Sequence, residues 1–376
     1  MDATTSFFNC FFELEDPRKD NHNKRHKLID IMLLTILAVI CGADSWSAVE
    51  RFGHSKEPWL NTFLELPNGI PSHDTIGDFF ARVNPQQLQD CFIKWVNLLF
   101  EITHGEIVAI DGKTLRRSFD NSNERKAIHM INAWACKSHL VLGQFKTKEK
   151  SNEITAIPEL LKLLDLEGCT VTIDAMGCQK NIAEKIINAK ADYVLSLKDN
   201  HKDLRNDVEY FFAGELKKKK RKYKFDYIET VDGEHGRIES RRYWISDDID
   251  WLTQKPLWKG LKSIGLVEYQ REEKGKIKIE KRYFITSIDA DVKRFSQAVR
   301  YHWRVETSLH WCLDVAFRED DCRVRKDNAA ENFAVIRQIA LNLLKQEKTA
   351  KVGIQTKRLM AGWDNRYLGK VLAAGN

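Results

Sequence analysis

Two acidic residues directly follow apolar stretches that have the pattern of buried strands. Asp111 comes after residues 107–110 and Asp174 after residues 170–173. Strands buried on both faces lie in the middle of a sheet, and we expect the first to stop at Gly112. Carboxylates at the ends of two such strands suit a phosphoryl-transfer site, in which two Mg²⁺ ions about 3.5–4 Å apart share a bridging carboxylate. A strand that ends in an ordinary Asp-Gly turn has the same local pattern.

A third carboxylate is expected on a helix that packs over this end of the sheet. Glu306 is the candidate, because it lies in a predicted helix over residues 291–317. Trp303, Arg304 and His310 surround it in the sequence, and they offer donors for phosphate and a flat surface for an unpaired base. The alternative is an exposed helix glutamate that pairs with Arg304 or His310.

Basic residues cluster after the first of these carboxylates, at Lys113, Arg116 and Arg117. Residues 112–150 contain nine Lys or Arg against three acidic residues, an excess equal to the net charge of +6 of the whole chain. Residues 217–222 form a second, entirely basic run. We predict that these positions contact the backbone of a polyanion, which steepens salt dependence without choosing a sequence. A solvated surface is the alternative for each run.

Composition indicates a globular protein of a reducing compartment. With 376 residues, 43% of them hydrophobic, the chain is long enough for a large core and two or three domains. Its eight cysteines include no Cys-x-x-Cys pair, which is typical of reduced core residues in a cytoplasmic protein. A zinc site at His302, His310, Cys312 and Cys322 lacks the close-paired spacing that such sites have.

No targeting or membrane segment is predicted. Residues 1–20 lack the basic flank, apolar core and cleavage site of a secretory signal. The longest apolar stretch, residues 28–41, is shorter than the roughly 20 residues that a membrane-spanning helix needs. We therefore expect a cytoplasmic protein without a membrane partner.

The elements that must position the candidate residues follow an α/β pattern. Helices are predicted first, the third with Asn84 as its N-cap, over residues 28–41, 72–82 and 85–104. Strands with intervening helices follow at residues 107–110, 128–136, 139–146, 170–174 and 193–198. This order predicts a mixed sheet that is covered by helices.

A second, charged pattern follows and then gives way to helix. Alternating segments predict antiparallel strands over residues 225–231, 237–245, 262–272 and 276–287. Two helices come after them, over residues 291–317 and 328–345. We interpret the charged segments as a β-rich insertion.

Several stretches resemble the DDE transposases of bacterial insertion sequences, and most closely their H-repeat-associated group. They read IDGKTLRR at residues 110–117, VTIDAMGCQK at 171–180, ADYVLSLKDN at 191–200 and HWRVETSLHW at 302–311. Nearer the N-terminus, the similar stretches are residues 16–18, 28–39, 42–46 and 66–74. The resemblance therefore covers essentially the whole chain.

This resemblance implies a ribonuclease H-like mixed sheet flanked by helices, with a β-rich insertion before the last catalytic helix. The core would span residues 105–198 and 291–350, and a helix plus the insertion would occupy residues 199–290. We expect residues 1–104 to form an N-terminal helical domain, as a DNA-reading module, a dimerisation element or a cap on the core. Residues 351–376 would form a C-terminal tail.

The resemblance also assigns roles to residues. Matched by motif, Asp111, Asp174 and Glu306 take the three acidic positions, as catalytic residues and as ligands of two Mg²⁺ or Mn²⁺ ions. Many related transposases carry a Lys seven residues after the Glu, where this chain has Leu313. In this chain either no residue has the phosphate-binding role of that Lys, or His310, Lys198 or Arg304 has it instead.

The function predicted from this resemblance is metal-dependent cleavage and strand transfer at the ends of an insertion sequence. The implied partners are double-stranded DNA, as element ends and as target, and a second copy of the chain in a homodimer, with the DNA-bound protein associated with the nucleoid. The alternatives are a ribonuclease H-like nuclease without strand transfer and an inactive DNA-binding remnant. The residues predicted to contact DNA are Lys113, Arg116, Arg117, Lys198, Trp303, Arg304 and His310.

Overall fold

The structure is a computed structural model that describes residues 9–19, 24–99, 105–119, 126–147, 152–218, 220, 222–234, 237–273 and 276–375. Some predictions extend beyond these ranges. Residues 100–104 of the third predicted helix, parts of the basic stretch 112–150, and Lys219 and Arg221 of the second basic run lie outside the described residues.

Helices form the N-terminal part of the described fold: α1 Leu28–Ile40, α2 Trp46–Leu60, α3 His73–Arg82 and α4 Pro85–Leu99. The predicted cap of α4 is confirmed, because Asn84 Oδ1 accepts the backbone N–H of Gln86 at 2.9 Å. The sequence predicts three of these helices but not α2. Gly53 and Pro58 lie inside α2 and weaken its helical pattern, since both residues disfavour helix.

A mixed sheet lies at the centre of the molecule. Its first strands are β1 Ile107–Thr114, β2 His129–Ala135, β3 Leu140–Thr147, β4 Thr170–Ile173 and β5 Asp192–Leu197. β1 runs antiparallel to β2 and parallel to β4, and β4 runs parallel to β5. The predicted mixed α/β architecture is confirmed.

The charged segments form the other strands, β6 Asp226–Glu234, β7 Arg237–Ser246, β8 Ser263–Glu273 and β9 Lys276–Thr286. They are antiparallel to one another, as predicted. β9 also pairs with β5, where Leu195 lies opposite Ile285. The segment predicted as an insertion therefore continues the central sheet, whose strand order is β3-β2-β1-β4-β5-β9-β8-β7-β6.

Helices cover both faces of this sheet. They are α5 Glu153–Leu163, α6 Lys180–Asn188, α7 Lys202–Lys217, α8 Val292–His302, α9 Trp311–Val315 and α10 Ala329–Gln346. α10 packs on the face that carries Asp111, because Gln338 donates to Asn132, the residue paired with Asp111 in the sheet. α5 packs on the opposite face, where Glu153 bonds to the ring of His129.

The segment expected as a C-terminal tail contains two more helices, α11 Ile354–Trp363 and α12 Asn365–Ala373. They dock on the N-terminal helices, since Arg358 donates to the carbonyl of Val39 at 2.7 Å and Trp95 donates to that of Gly375 at 3.1 Å. One continuous hydrophobic cluster links these helices with the sheet. In the described part of the chain, every helix is too short or too polar to cross a membrane.

Candidate active site

The first predicted carboxylate lies inside a strand, so the prediction that β1 stops at Gly112 is wrong. The antiparallel ladder with β2 continues past Asp111 to the end of β1, because β2 supplies partners along its whole length. On the other side, β1 pairs with the shorter β4 only as far as Ile110, which lies opposite Ile173. Asp111 and Asp174 are the next residues of these two strands, and the Asp-Gly turn is excluded.

Three predicted carboxylates meet in one groove. Asp174 begins the turn after β4, and its Oδ1 accepts the backbone N–H of Met176 at 3.0 Å. Asp111, Asp174 and Glu306 all line a groove of about 410 Å³. Asp111 and Glu306 lie 195 positions apart in the sequence but reach one surface, because β1, β4 and the chain after α8 converge there.

The helix that carries Glu306 is interrupted, and the prediction of one continuous helix over residues 291–317 is wrong. α8 ends at His302, and a turn follows at Trp303. The chain then forms a π-helical segment, Glu306–His310, which leads into α9. A π-helical turn contains one more residue than an α-helical turn and often marks a functional site.

This π-helical segment places His310 beside two carboxylates. Its Nδ1 lies 3.4 Å from Glu306 Oε2 and 3.6 Å from Asp111 Oδ2. One donor atom from each of these three residues lies within 4.8 Å of the other two. Among the described residues, Asp174 is not part of this group, and neither are the cysteines of the zinc alternative.

The carboxyl groups of the groove differ in their acidity. Burial raises the pKa of Asp111 to about 6; His310 opposes this shift, and the charges of Glu306 and Asp174 add to it. The neighbouring His310 lowers the pKa of Glu306. Carboxyl groups whose pKa values are separated by burial and by like charges are typical of functional sites.

Lys113 lies in the protein interior and not on a basic surface. Its side chain is 8% exposed, and its ammonium group lies 2.6 Å from Asp314, 3.2 Å from Glu319 and 3.3 Å from Asp320. Although burial alone would lower the pKa of Lys113, these carboxylates raise it. An ammonium group with three carboxylate partners has no donor to spare for a phosphate, and the predicted DNA contact finds no support here.

Arg116 and Arg117 remain at the surface after β1. The side chain of Arg116 is 78% exposed and its Nε lies 3.0 Å from Asp320, whereas Arg117 lies 3.7 Å from Asp321. Each guanidinium group keeps donors that face water. The DNA contacts at these two residues stay predictions.

Two further predicted residues line the groove, and one does not. Lys198 is exposed at the end of β5, and it makes no ion pair with any residue that the structure describes. Trp303 also lines the groove, and the guanidinium group of Arg282 lies 4.2 Å from its ring centre. Arg304 lies outside the groove lining and stacks on the ring of Tyr301 at 4.5 Å.

Sequence reasoning missed part of the groove. Arg205 of α7 and Arg282 of β9 line it. Arg282 reaches the groove because β9 pairs with β5, and this pairing leaves no local signal in the sequence. The sequence suggests His302 only as a zinc ligand. Its Nδ1 bonds to the hydroxyl of Thr172 at 3.1 Å, and burial lowers its pKa. Its position four residues before Glu306 is the signal that could have found it.

Comparisons with known proteins agree on one family. A family model described as "Transposase DDE domain" matches residues 103–343, and a second, "DDE_Tnp_1-associated", matches residues 8–96. The chain is 44% identical over 354 residues to "Putative transposase YncI" of Escherichia coli O157:H7, covering 93% of this chain and 90% of that protein. It is 43% identical over 353 residues to "H repeat-associated putative transposase YhhI" of Escherichia coli K12, covering 93% of each.

One solved structure, titled as the cryo-EM structure of a piggyBac transposase synaptic complex with hairpin DNA, was also matched. The match covers 98% of this chain and 84% of that chain, with 12% identity and a TM-score of 0.43.

Proposed function

The chain belongs to the transposase family with a DDE domain, and from this premise we propose that it cleaves DNA strands at the ends of an insertion sequence and joins them to target DNA. The observation that carries the proposal is the groove in which Asp111, Asp174 and Glu306 meet. Phosphoryl transfer between DNA strands depends on positioning of the reacting groups and on stabilisation of charge. Metal ions held by these carboxylates would contribute to both.

We assign the fold of the core to the ribonuclease H-like class. β1, β2 and β3 form an antiparallel unit, and β4 and β5 add parallel strands beside β1. In this assignment residues 105–198 and 291–350 are the catalytic core, and residues 199–290 are the insertion. Residues 1–104 would be a DNA-binding or dimerisation unit, and residues 351–376 would support them.

The residues of the groove fit divalent cations. Mg²⁺ and Mn²⁺ are commonly bound by carboxylate oxygens. One potential ligand atom from each of Asp111, Glu306 and His310 lies within 4.8 Å of the other two. We propose that Asp111, Asp174 and Glu306 would hold two such ions. When bound, the ions would activate water and then a DNA 3′-hydroxyl and would neutralise charge on the attacked phosphate.

Other side chains of the groove would hold the DNA. Leu313 is 1% exposed and carries no charge. We therefore assign the phosphate-binding role of the absent lysine to Lys198, which lines the groove and forms no ion pair with a described carboxylate. The half-exposed ring of Trp303 offers a face on which an unpaired base could stack. Arg116, Arg117, Arg304 and His310 remain the other proposed DNA contacts.

The proposed partners are double-stranded DNA and a second copy of the chain. DNA would be bound both at the element ends and at the target, and a homodimer would bring two ends together. The proposed location is the cytoplasm, in association with the nucleoid when DNA is bound.

A strand-transfer assay tests the proposal. Duplexes that carry the ends of the DNA element flanking the gene are incubated with the full-length protein, a target plasmid, and Mg²⁺ or Mn²⁺. We expect nicks at the element ends and joined products, and a loss of roughly a thousandfold or more in Asp111→Asn. Asp289→Asn is the matched control, because Asp289 is 85% exposed and is not among the residues that line the groove.

The same assay separates the alternatives. Nicks without joined products, even from pre-cut ends, would indicate a nuclease. Binding of the ends without cleavage that depends on Asp111 would indicate an inactive remnant and would overturn the proposed chemistry.

A further inference from the structure

Among the described residues, two polar side-chain contacts connect β1 with the helical chain that runs from Glu306 through α9, and only the first includes a residue that lines the groove. The first joins Asp111 Oδ2 to His310 Nδ1 at 3.6 Å, and the second joins Lys113 to Asp314 Oδ1 at 2.6 Å. Lys113 follows Asp111 by two residues in the strand, so both side chains lie on the same face. Asp314 follows His310 by four residues, about one helical turn, so these two also share a face.

The two spacings match in length. Two residues of a strand advance by about 6.6 Å, and four residues of an α-helix advance by about 6 Å. The strand and the helical segment therefore lie side by side with both contacts formed at once. A shift by one residue in either element would break both contacts together.

The second contact belongs to a larger ion-pair network whose other members are buried. Lys113 is 8% exposed, and Glu319, a further partner of its ammonium group, is 4% exposed. Glu319 in turn lies 3.7 Å from the guanidinium group of Arg337 in α10, which is 3% exposed. Removing one member of a buried ion pair is costly, because the remaining charge is left without a partner. This contact therefore resists displacement of the helical segment along β1.

From this geometry we propose that Lys113 is a positioning residue, which holds the Glu306–His310 segment in register with Asp111 so that the groove binds divalent cations. The inference rests on the proposed metal-dependent function. It replaces the DNA contact that the sequence predicts for Lys113 with a role inside the protein.

Titration with Mn²⁺ in the absence of DNA tests the positioning role. The site is defined as the Mn²⁺ binding, followed by electron paramagnetic resonance, that is lost in Asp111→Asn. We expect Lys113→Met and Asp314→Leu each to weaken this binding about 10- to 100-fold, the range found when partners that orient metal ligands are removed. The double variant should be no weaker than the worse single variant, because both substitutions remove the same contact. Lys113→Arg, which keeps the charge, should recover part of the affinity.

Salt dependence of DNA binding separates the two roles of Lys113. Loss of one phosphate contact lowers the slope of log affinity against log salt by about 1. We expect that reduction for Arg116→Met, whose side chain is exposed, and an unchanged slope for Lys113→Met. Asp314 is 31% exposed, so Asp314→Leu keeps the test decisive if Lys113→Met does not fold.

The outcomes distinguish this inference from the proposed function. Wild-type affinity for Mn²⁺ in Asp314→Leu and Lys113→Met, or a reduced salt slope in Lys113→Met, would overturn the positioning role and leave the metal site intact. A wild-type protein without Mn²⁺ binding that depends on Asp111 would overturn the proposed function, and this inference with it.

Discussion

At the scale of single residues, the folded protein disfavours the charged form of the Asp111 carboxyl group relative to water. Burial raises its pKa to about 6, whereas an unperturbed aspartate has a pKa near 3.9. Between these values the folded chain binds more protons than the unfolded chain, so stability falls as pH rises from about 4 to about 6. Above pH 6 the full cost of the charged group persists, and a bound cation would offset it.

Asp111→Asn should therefore stabilise the metal-free protein while abolishing its activity. A pKa raised from near 3.9 to about 6 corresponds to on the order of 2–3 kcal/mol at pH 7.5. The gain should shrink as pH falls from 6 towards 4 and vanish below the unfolded pKa, where the wild-type carboxyl is protonated in both states. Urea unfolding in EDTA at several pH values measures it, with Asp289→Asn as the exposed control. A destabilised Asp111→Asn, or a gain that does not change with pH, would contradict this account.

On the opposite face of the sheet, side chains pack so closely against Gly112 that no larger residue fits there. A Cβ at this position would lie 2.5 Å from Glu153 Oε1 and 2.6 Å from His129 Nε2, the two atoms that bond to each other at 2.6 Å. We expect Gly112→Ala to lower the free energy of unfolding by about 1–3 kcal/mol through overpacking. Gly214→Ala in α7, where a Cβ meets nothing within 4 Å, should instead gain about 0.5–1 kcal/mol. Equal effects of the two substitutions on urea unfolding would refute the steric argument.

At the scale of elements, local patterns predicted most strands and helices because each pattern reports burial of its own segment. The alternation of β6 to β9 and the Asn84 cap of α4 are examples. The π-helical segment at Glu306 was missed, since apolar residues at helical spacing continue through it. The burial of Lys113 in an ion pair was also not predicted, because its partner Asp314 lies 201 residues away. The carboxylates were placed correctly on neighbouring elements, whereas their detailed surroundings depend on contacts of this long-range kind.

The π-helical segment can be removed by deleting one residue. Deletion of Thr307 would convert the segment into α-helix and leave α8 and α9 in phase, because a π-bulge is a one-residue insertion. His310 would then follow Glu306 by three residues instead of four. We expect Mn²⁺ affinity to fall about tenfold or more while the melting temperature stays the same or rises. Thr307→Ala keeps the chain length and should retain the affinity; if the deletion retains it as well, the π turn has no role in the site.

At the scale of the whole molecule, α10 connects the parts that the sequence separates into domains. Asn332 donates to the carbonyl of Phe80 at 2.8 Å, Gln338 donates to Asn132 at 2.7 Å, and Asn342 donates to the carbonyl of Val141 at 2.9 Å. The N-terminal helices and the sheet thus share one buried helix. Because the hydrophobic cluster runs on into α11 and α12, the C-terminal segment should stabilise the same cooperative unit.

Glu347, just after α10, connects that unit to the C-terminal helices. A substitution at Glu347 therefore tests whether these helices stabilise the same cooperative unit. Glu347 is 2% exposed, lies 3.1 Å from Lys357, and accepts the hydroxyl of Tyr367 at 2.8 Å. Burial alone would raise the pKa of Glu347, but hydrogen bonds from Thr349, Tyr367 and Lys357 outweigh it and lower the pKa to about 2. The stabilisation is therefore present above the unfolded pKa near 4.3 and is lost as pH falls towards 2.

Glu347→Gln should accordingly lower the free energy of unfolding at pH 7 by on the order of 2–3 kcal/mol, and the difference from wild type should close as pH falls from about 4 to 2. Urea unfolding followed by tryptophan fluorescence measures it. Glu167→Gln is the control, because Glu167 is 57% exposed and its ion pair among the described residues is a surface contact with Lys190. If C-terminal helices unfold first in Glu347→Gln, in a separate transition, they form their own unit; a single shifted transition means that the groove depends on them for its stability.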